Sequence, residues 1–213
     1  MKIARCTTGG APFWGVVDTD SKTIQRIAGG IQDWAPEVTR TNGKTTLQLE
    51  GDPVPLDKVR FLPPIEKSNQ VIVAGANYQK HLAEFDIGKP PQPLAFLKSM
   101  GALIGATDEI RYPPLTKCLD HEVELVVVIG DTVDTDNPMA SVLGYTVGND
   151  VSARDLQRSS IPNIGMDLFS AKSLDRTTSV GPWIVTRDEF PDGSPKLGLK
   201  LTVNGEVRQN GTT

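Results

Sequence analysis

The sequence predicts a mainly β fold with some α, through short apolar runs, abundant turn residues and one Asn-Gly hairpin. Apolar stretches of strand length recur along the 213 residues and are cut by turn chemistry. The 20 Gly and 16 Pro make a turn-rich composition that favours β over α. Between "LGLKLTV" and "EVRQNG", Asn204-Gly205 supplies the positive φ angles of a type I′ turn.

In chain order, "KIARCTT", "FWGVVDT" and "TIQRIAG" read as strands separated by Gly-Gly and "DTDSK", so the first 50 residues are expected as short strands and turns. "EGDPVPLDKVRFLPPIEKSN" is proline-rich with little periodicity and reads as a linker. A small β-rich unit over residues 1–65 and a main domain over 66–213 are therefore expected. "QVIVAGANY" begins that domain as a strand stopped by Gly75 and Asn77, and a helical turn, "YQKHLAEF", follows. "PLAFLKS", "HEVELVVVIG", "GYTVGND" and "GPWIVTR" read as further strands. "VSARDLQRSS" looks helical, with Ser152 as its N-cap.

The bulk numbers exclude several function classes. At 38% hydrophobic and 23% charged, the chain is an ordinary globular protein. A net charge of -4 and no run of Lys or Arg argue against nucleic acid. "MKIARCTTGG" lacks the apolar core of a signal peptide, and no stretch of about 18 apolar residues could span a bilayer, so no membrane is expected. Cys6 and Cys118 lie far apart, which gives neither a metal spacing nor a disulfide framework and favours a cytoplasmic location.

In "HEVELVVVIG", Glu122 and Glu124 stand two apart and share a strand face, ahead of an unbroken aliphatic run that looks like a protein interior. An edge strand with one wet face would carry the same pattern. Two parallel carboxylates near a core repel and lose hydration, and a divalent cation is the usual compensation. Asp150, at the end of "GYTVGND", is a third candidate ligand. An all-oxygen set selects Mg²⁺, Mn²⁺ or Ca²⁺ over Zn²⁺. His81 and Glu84 stand three apart on the helical turn, an arrangement that suits an oriented general base and equally an inert surface pair. Lys172 fits a charge stabiliser or a solvated lysine. Arg154 and Gln157 fit a carboxylate-holding pair or a solvated helix face.

Taken in order, "GANYQKHLAEF", "FLKSMGALIGATDEI", "DHEVELVVVIG", "GYTVGNDVSARDLQ", "AKSLDRTTSVGPWIV" and "LTVNGEVRQNGTT" resemble the fumarylacetoacetate hydrolase (FAH) family, in its bacterial two-domain type, over about residues 70 to 213. The specific part is "EVELVVVIG" together with "NDVSARDLQ". The resemblance implies the FAH-type β-clip fold, a mixed β-roll with a small N-terminal β-rich domain, as a homodimer. It implies that Glu122, Glu124 and Asp150 hold Mg²⁺ or Mn²⁺, with Ca²⁺ as a crystallographic substitute. It also implies that His81 and Glu84 form a base pair on a mobile lid and that Lys172 stabilises charge beside the metal. Tyr78, Arg154 and Gln157 are implied as substrate contacts.

The implied activity is metal-dependent hydrolysis of a C–C bond in an acylpyruvate or β-diketo acid through an enolate, in breakdown of aromatic compounds or sugar acids. The alternatives are an isomerase of the 2-hydroxyhepta-2,4-diene-1,7-dioate type, an oxaloacetate decarboxylase, or a truncated relative that binds metal or keto acid without turnover. Family members usually continue past the last hairpin into a helical segment and a Gly-Thr-Pro-Gly loop. This sequence reaches "NGTT" first, so further residues are expected beyond Thr213.

Overall fold

A computed structural model describes every residue except 67, 85, 87, 159–164 and 191–194, and only the backbone of Lys80, His81 and Glu84. The chain opens with β1 (Lys2–Thr7), β2 (Phe13–Asp18), β3 (Thr23–Ile27), helix α1 (Ile31–Arg40), β4 (Leu49–Pro55) and β5 (Arg60–Leu62). Next come β6 (Val71–Gly75), α2 (Gln79–Glu84), β7 (Leu94–Lys98) and β8 (Leu103–Gly105). They lead to β9 (Leu119–Asp120), β10 (Val123–Ile129), β11 (Val142–Asp150), β12 (Ser152–Ala153) and the one-turn α3 (Arg154–Gln157). Last are α4 (Leu168–Lys172), β13 (Thr178–Thr186) and the hairpin β14 (Gly198–Val203) and β15 (Glu206–Thr212).

The fold is mainly β. A nine-stranded sheet runs β10-β11-β13-β1-β2-β3-β4, with β5 also on β1 and β8 also on β13. Because β1 lies antiparallel to both β2 and β13, strands from both sides of residue 65 share this one sheet. Its parallel pair is β8 with β13. Asn204 (φ 52°) and Gly205 (φ 83°) turn the final hairpin in the left-handed conformations that a type I′ turn needs.

Two expectations for the first 70 residues are corrected. The first 50 residues are not all strand and turn: α1 buries Ile31, Trp34, Ala35, Val38 and Thr39, a helical face of i, i+3, i+4, i+7 and i+8. Gly29, Gly30 and Pro36 disguise it, since each reads locally as a break. A mid-helix Pro costs about 3 kcal/mol, and the apolar face outweighs that cost by joining the core of Ile3, Trp14, Leu143 and Ile184. Trp34 meets Trp14 edge-on at 5.4 Å, and the Asp33 carboxylate accepts the Gly30 N–H at 2.7 Å to close the first turn. The supposed linker contains β4, paired with β3, and β5, paired with β1. β4 ends the sheet and is largely exposed, so it carries no alternating burial pattern, and its two prolines sit where an edge tolerates them.

The aliphatic run after Glu124 also departs from expectation. β10 is the other end strand, and Val127 and Ile129 are 47% and 49% exposed among the described residues. No helix among the described residues is long and apolar enough to cross a membrane.

Candidate active site

Antiparallel pairing of β10 with β11 sets Val123 opposite Asn149 and Glu124 opposite Gly148. One step further, the Asp150 N–H donates to the Glu122 carbonyl at 2.8 Å and the Glu122 N–H to Asn149 Oδ1 at 3.0 Å. Glu122 and Asp150 therefore face each other at the end of the sheet. The chain then turns through β12, where Ser152 pairs with Asp120 of β9. The expected Ser152 N-cap is corrected: Ala153 precedes α3 without a side-chain cap. The Ser152 hydroxyl instead donates to the Asp150 carbonyl at 2.9 Å and accepts from Lys172 Nζ at 2.7 Å. It serves the cluster, not the helix.

Three cations pair with these carboxylates. Lys172, the last residue of α4, places Nζ 2.5 Å from Glu122 Oε2 and 3.1 Å from Asp150 Oδ2. Lys98, its side chain 1% exposed, places Nζ 2.5 Å from Asp150 Oδ1. Lys98 also donates to Thr178 Oγ1 at 3.0 Å and to the Lys172 carbonyl. Burial pushes the Lys98 ammonium below its ordinary value, and Asp150 pulls the other way. Arg154 reaches Glu122 Oε1 at 2.7 Å with Nη1, and grips Asp120 Oδ2 with Nη2 at 2.8 Å and Nε at 2.9 Å. Its Nη1 also donates to Gln157 Oε1 at 3.1 Å. Removing such charges from water costs several kcal/mol per ion, so the dense pairing is what makes their burial tolerable.

Among the described residues no cation forms an ion pair with Glu124. Burial pushes its carboxyl up to about 7, helped by the like charges of Glu122 and Asp150 and opposed by the Tyr78 hydroxyl and the Lys172 charge. The Tyr78 hydroxyl, itself pushed up to about 12 by burial, accepts the Leu125 N–H at 3.2 Å. The folded protein thus keeps a proton on Glu124 to higher pH than the unfolded chain does. Stability of the EDTA-stripped protein is expected to fall as pH rises from the ordinary carboxylate range through about 7, at no more than about 1.4 kcal/mol per pH unit. Urea melts across this range should show that slope reduced in Glu124→Gln, which cannot ionise; an unchanged slope would contradict the assignment.

The donor chemistry fits a hard divalent cation: three carboxylates on and beside adjacent strands, one of them pushed up to about 7 chiefly by burial. They are not gathered into a cage, and among the described residues no three His, Cys, Asp or Glu side chains form a metal-holding group. Lys172 Nζ stands between Glu122 and Asp150. Mg²⁺ or Mn²⁺ would be held by Glu122, Glu124 and Asp150 once that ammonium moves off Glu122.

The structure brings Glu122, Asp150, Lys172, Arg154 and Gln157 into one network, and the Tyr78 hydroxyl accepts the N–H of Leu125, the residue after Glu124. The side chains of His81 and Glu84 lie outside the described residues, and their backbone is on α2, which starts directly after Tyr78. Residues 159–164 of "RSSIPNIGMDLF" are also outside them. Sequence reasoning missed Lys98, Asp120 and Ser152. A lysine closing the apolar strand "LAFLK" was the one signal for Lys98, and the aspartate directly before "HEVE" the signal for Asp120.

Fold and cluster define a mainly β protein built around a buried carboxylate and lysine centre. More narrowly, the chain belongs to the fumarylacetoacetate hydrolase family: the model described as "Fumarylacetoacetate (FAA) hydrolase C-terminal" matches residues 70–213, and "Rv2993c-like, N-terminal" matches residues 1–64. The chain is 35% identical over 180 residues to human "Oxaloacetate tautomerase FAHD2A, mitochondrial", covering 83% of this chain and 56% of that protein. It is 33% identical over 220 residues to "2,4-didehydro-3-deoxy-L-rhamnonate hydrolase" of Sphingomonas sp. (strain SKA58), covering 100% of this chain and 73% of that one. Among solved structures, 5-carboxymethyl-2-hydroxymuconate delta-isomerase from Mycobacterium smegmatis superposes with a TM-score of 0.77 at 33% identity, over 100% of this chain and 76% of that chain. The chain thus spans about half to three quarters of the length of these relatives.

Proposed function

We propose that the chain carries the centre of a metal-dependent hydrolase that cleaves a C–C bond in an acylpyruvate or similar β-diketo acid. The observation that carries this reading is the Lys172 ammonium held between Glu122 and Asp150, with Arg154 on the other Glu122 oxygen. That arrangement offers positive charge to an anionic keto acid beside carboxylates suited to a hard cation. A bound Mg²⁺ or Mn²⁺ would supply Lewis-acid stabilisation of negative charge on the keto oxygens.

The chain's own residues supply the rest. His81, oriented by Glu84, takes a proton from water, whose oxygen bonds to the distal carbonyl carbon. Lys172 stabilises the resulting oxyanion. Its ammonium has three donors, and these face Glu122, Asp150 and Ser152, so it meets substrate by releasing one of them. When the oxyanion collapses, the C–C bond breaks, its electron pair leaves with the pyruvate fragment as an enolate whose carbon takes up the proton held by His81, and the acyl part departs as a carboxylic acid. Arg154 and Gln157 hold the substrate carboxylate. A homodimer acting on a small keto acid in the cytoplasm belongs to the same proposal.

A second reading is supported by the names of the relatives. One is a tautomerase and one an isomerase, and enolate formation without C–C cleavage would serve both reactions. The test is a panel with Mn²⁺ present: pyruvate release from an acylpyruvate, CO₂ release from oxaloacetate, and keto-enol interconversion of oxaloacetate. Pyruvate release that collapses in His81→Ala supports the hydrolase. Interconversion alone supports the second reading, and wild-type pyruvate release by His81→Ala would remove His81 as the base.

A further inference from the structure

The last hairpin, which carries "NGEVRQNG", takes no part in the proposed chemistry, yet one of its side chains reaches the strand that bears Glu122 and Glu124. β14 and β15 form a two-stranded sheet of their own. Their register slips between Leu201 and Thr202: Thr202 pairs with Val207 and Leu201 with Gln209, which leaves Arg208 as an extra residue on β15. A bulge of this kind re-aims the side chains beside it. Gln209 is half-buried while its neighbours Arg208 and Asn210 are exposed, and its Oε1 accepts the Val123 N–H at 2.7 Å.

β10 ends the nine-stranded sheet, so the N–H groups on its outer edge have no neighbouring strand to receive them. Side chains take that place, Gln209 at Val123 and the Tyr78 hydroxyl at Leu125. The inner edge is held by β11 and its end, through the Glu122 carbonyl with the Asp150 N–H and the Glu122 N–H with Asn149 Oδ1. Val123 is the residue between the two glutamates. Gln209 therefore grips the backbone between them from the side that the sheet leaves open.

We propose that Gln209 is a positioning residue for the cation site: it pins the backbone between Glu122 and Glu124, sets the spacing of their carboxylates, and so makes cation affinity depend on the last hairpin. The inference rests on the metal reading of these glutamates and goes beyond it, because it gives a role to a hairpin outside the ion-pair network. Partners that orient metal ligands alter affinity by about 10–100-fold when removed, and a partner acting through the backbone belongs at the lower end, about 10-fold. Such coupling is reciprocal, so a bound cation strengthens the bond from Gln209 to Val123 by the same factor.

The experiment titrates Mn²⁺ by calorimetry into EDTA-stripped wild type and Gln209→Met, which keeps the side-chain length and deletes the acceptor. Thermal melts of both stripped proteins run beside it, and amide hydrogen exchange at Val123 is followed in wild type with and without Mn²⁺. Gln209→Met is expected to bind Mn²⁺ about 10-fold more weakly, and exchange at Val123 in wild type to slow by about the same factor when Mn²⁺ saturates. A bond that is only structural would lower the melting midpoint and leave the affinity at the wild-type value; that result overturns the coupling and leaves the metal reading standing. Absence of Mn²⁺ binding by wild type overturns both. Should Gln209→Met not fold, the wild-type amide decides alone: exchange at Val123 that is indifferent to Mn²⁺ overturns the coupling.

Discussion

Lys172→Met is expected to lower acylpyruvate turnover by about 10²–10³-fold, the usual cost of losing one donor to a developing oxyanion, while Mn²⁺ binding persists. Methionine keeps much of the buried stem and deletes only the charged head, so packing at the end of α4 changes little. The head itself is 2.5 Å from Glu122 and 3.1 Å from Asp150. Deleting it leaves these carboxylates with less positive charge nearby, which favours a divalent cation. Catalysis and cation binding should therefore separate in this variant. Steady-state kinetics beside a Mn²⁺ titration checks it. Unchanged turnover would remove Lys172 from the mechanism, and loss of Mn²⁺ binding along with turnover would make the lysine a structural strut.

Lys98→Met should mainly affect stability. Its ammonium meets Asp150 Oδ1 at 2.5 Å with both side chains almost wholly buried. Breaking a buried pair by removing one partner costs about 3–5 kcal/mol, because the remaining charge is uncompensated. Lys172 still faces the other Asp150 oxygen, so the lower end, about 3 kcal/mol, is expected. For a chain of this size that is a fall of roughly 6–12 °C in melting midpoint. Thermal melts of the stripped protein measure it. An unchanged melting midpoint would show that the pair contributes nothing to stability.

How much of this was legible in the sequence depended on whether the deciding contacts were local. β1, β2, β3, β10, β11 and β13 announced themselves because their apolar runs end at Gly, Pro or Asp turns. The final hairpin was legible from Asn204-Gly205 alone. α1 was hidden because Pro36 and two glycines outweigh, locally, a buried face that only tertiary packing rewards. β4 was hidden because an edge strand exposed on both faces needs no alternation.

The site divides in the same way. Glu122, Glu124, Asp150, Arg154 and Lys172 were found through motif and resemblance, and the structure draws Glu122, Asp150, Arg154 and Lys172 into one ion-pair network. Lys98 joins that network through Asp150, across a sequence gap that no spacing rule bridges. Asp120 grips Arg154 only because β9 pairs with β12. The Tyr78 hydroxyl accepts the Leu125 N–H, a contact that its place in "GANY" does not announce. A side chain's partner, unlike its type, is decided by the fold.

The central claim is that Glu122, Glu124 and Asp150 hold a divalent cation. Calorimetric titration of Mn²⁺ into the EDTA-stripped protein, run beside Glu124→Ala, tests it most directly. The account predicts saturable binding of a single ion by wild type and loss of most of that affinity in the variant. A wild type that takes up no Mn²⁺, or a Glu124→Ala protein that binds it as tightly, would contradict the claim.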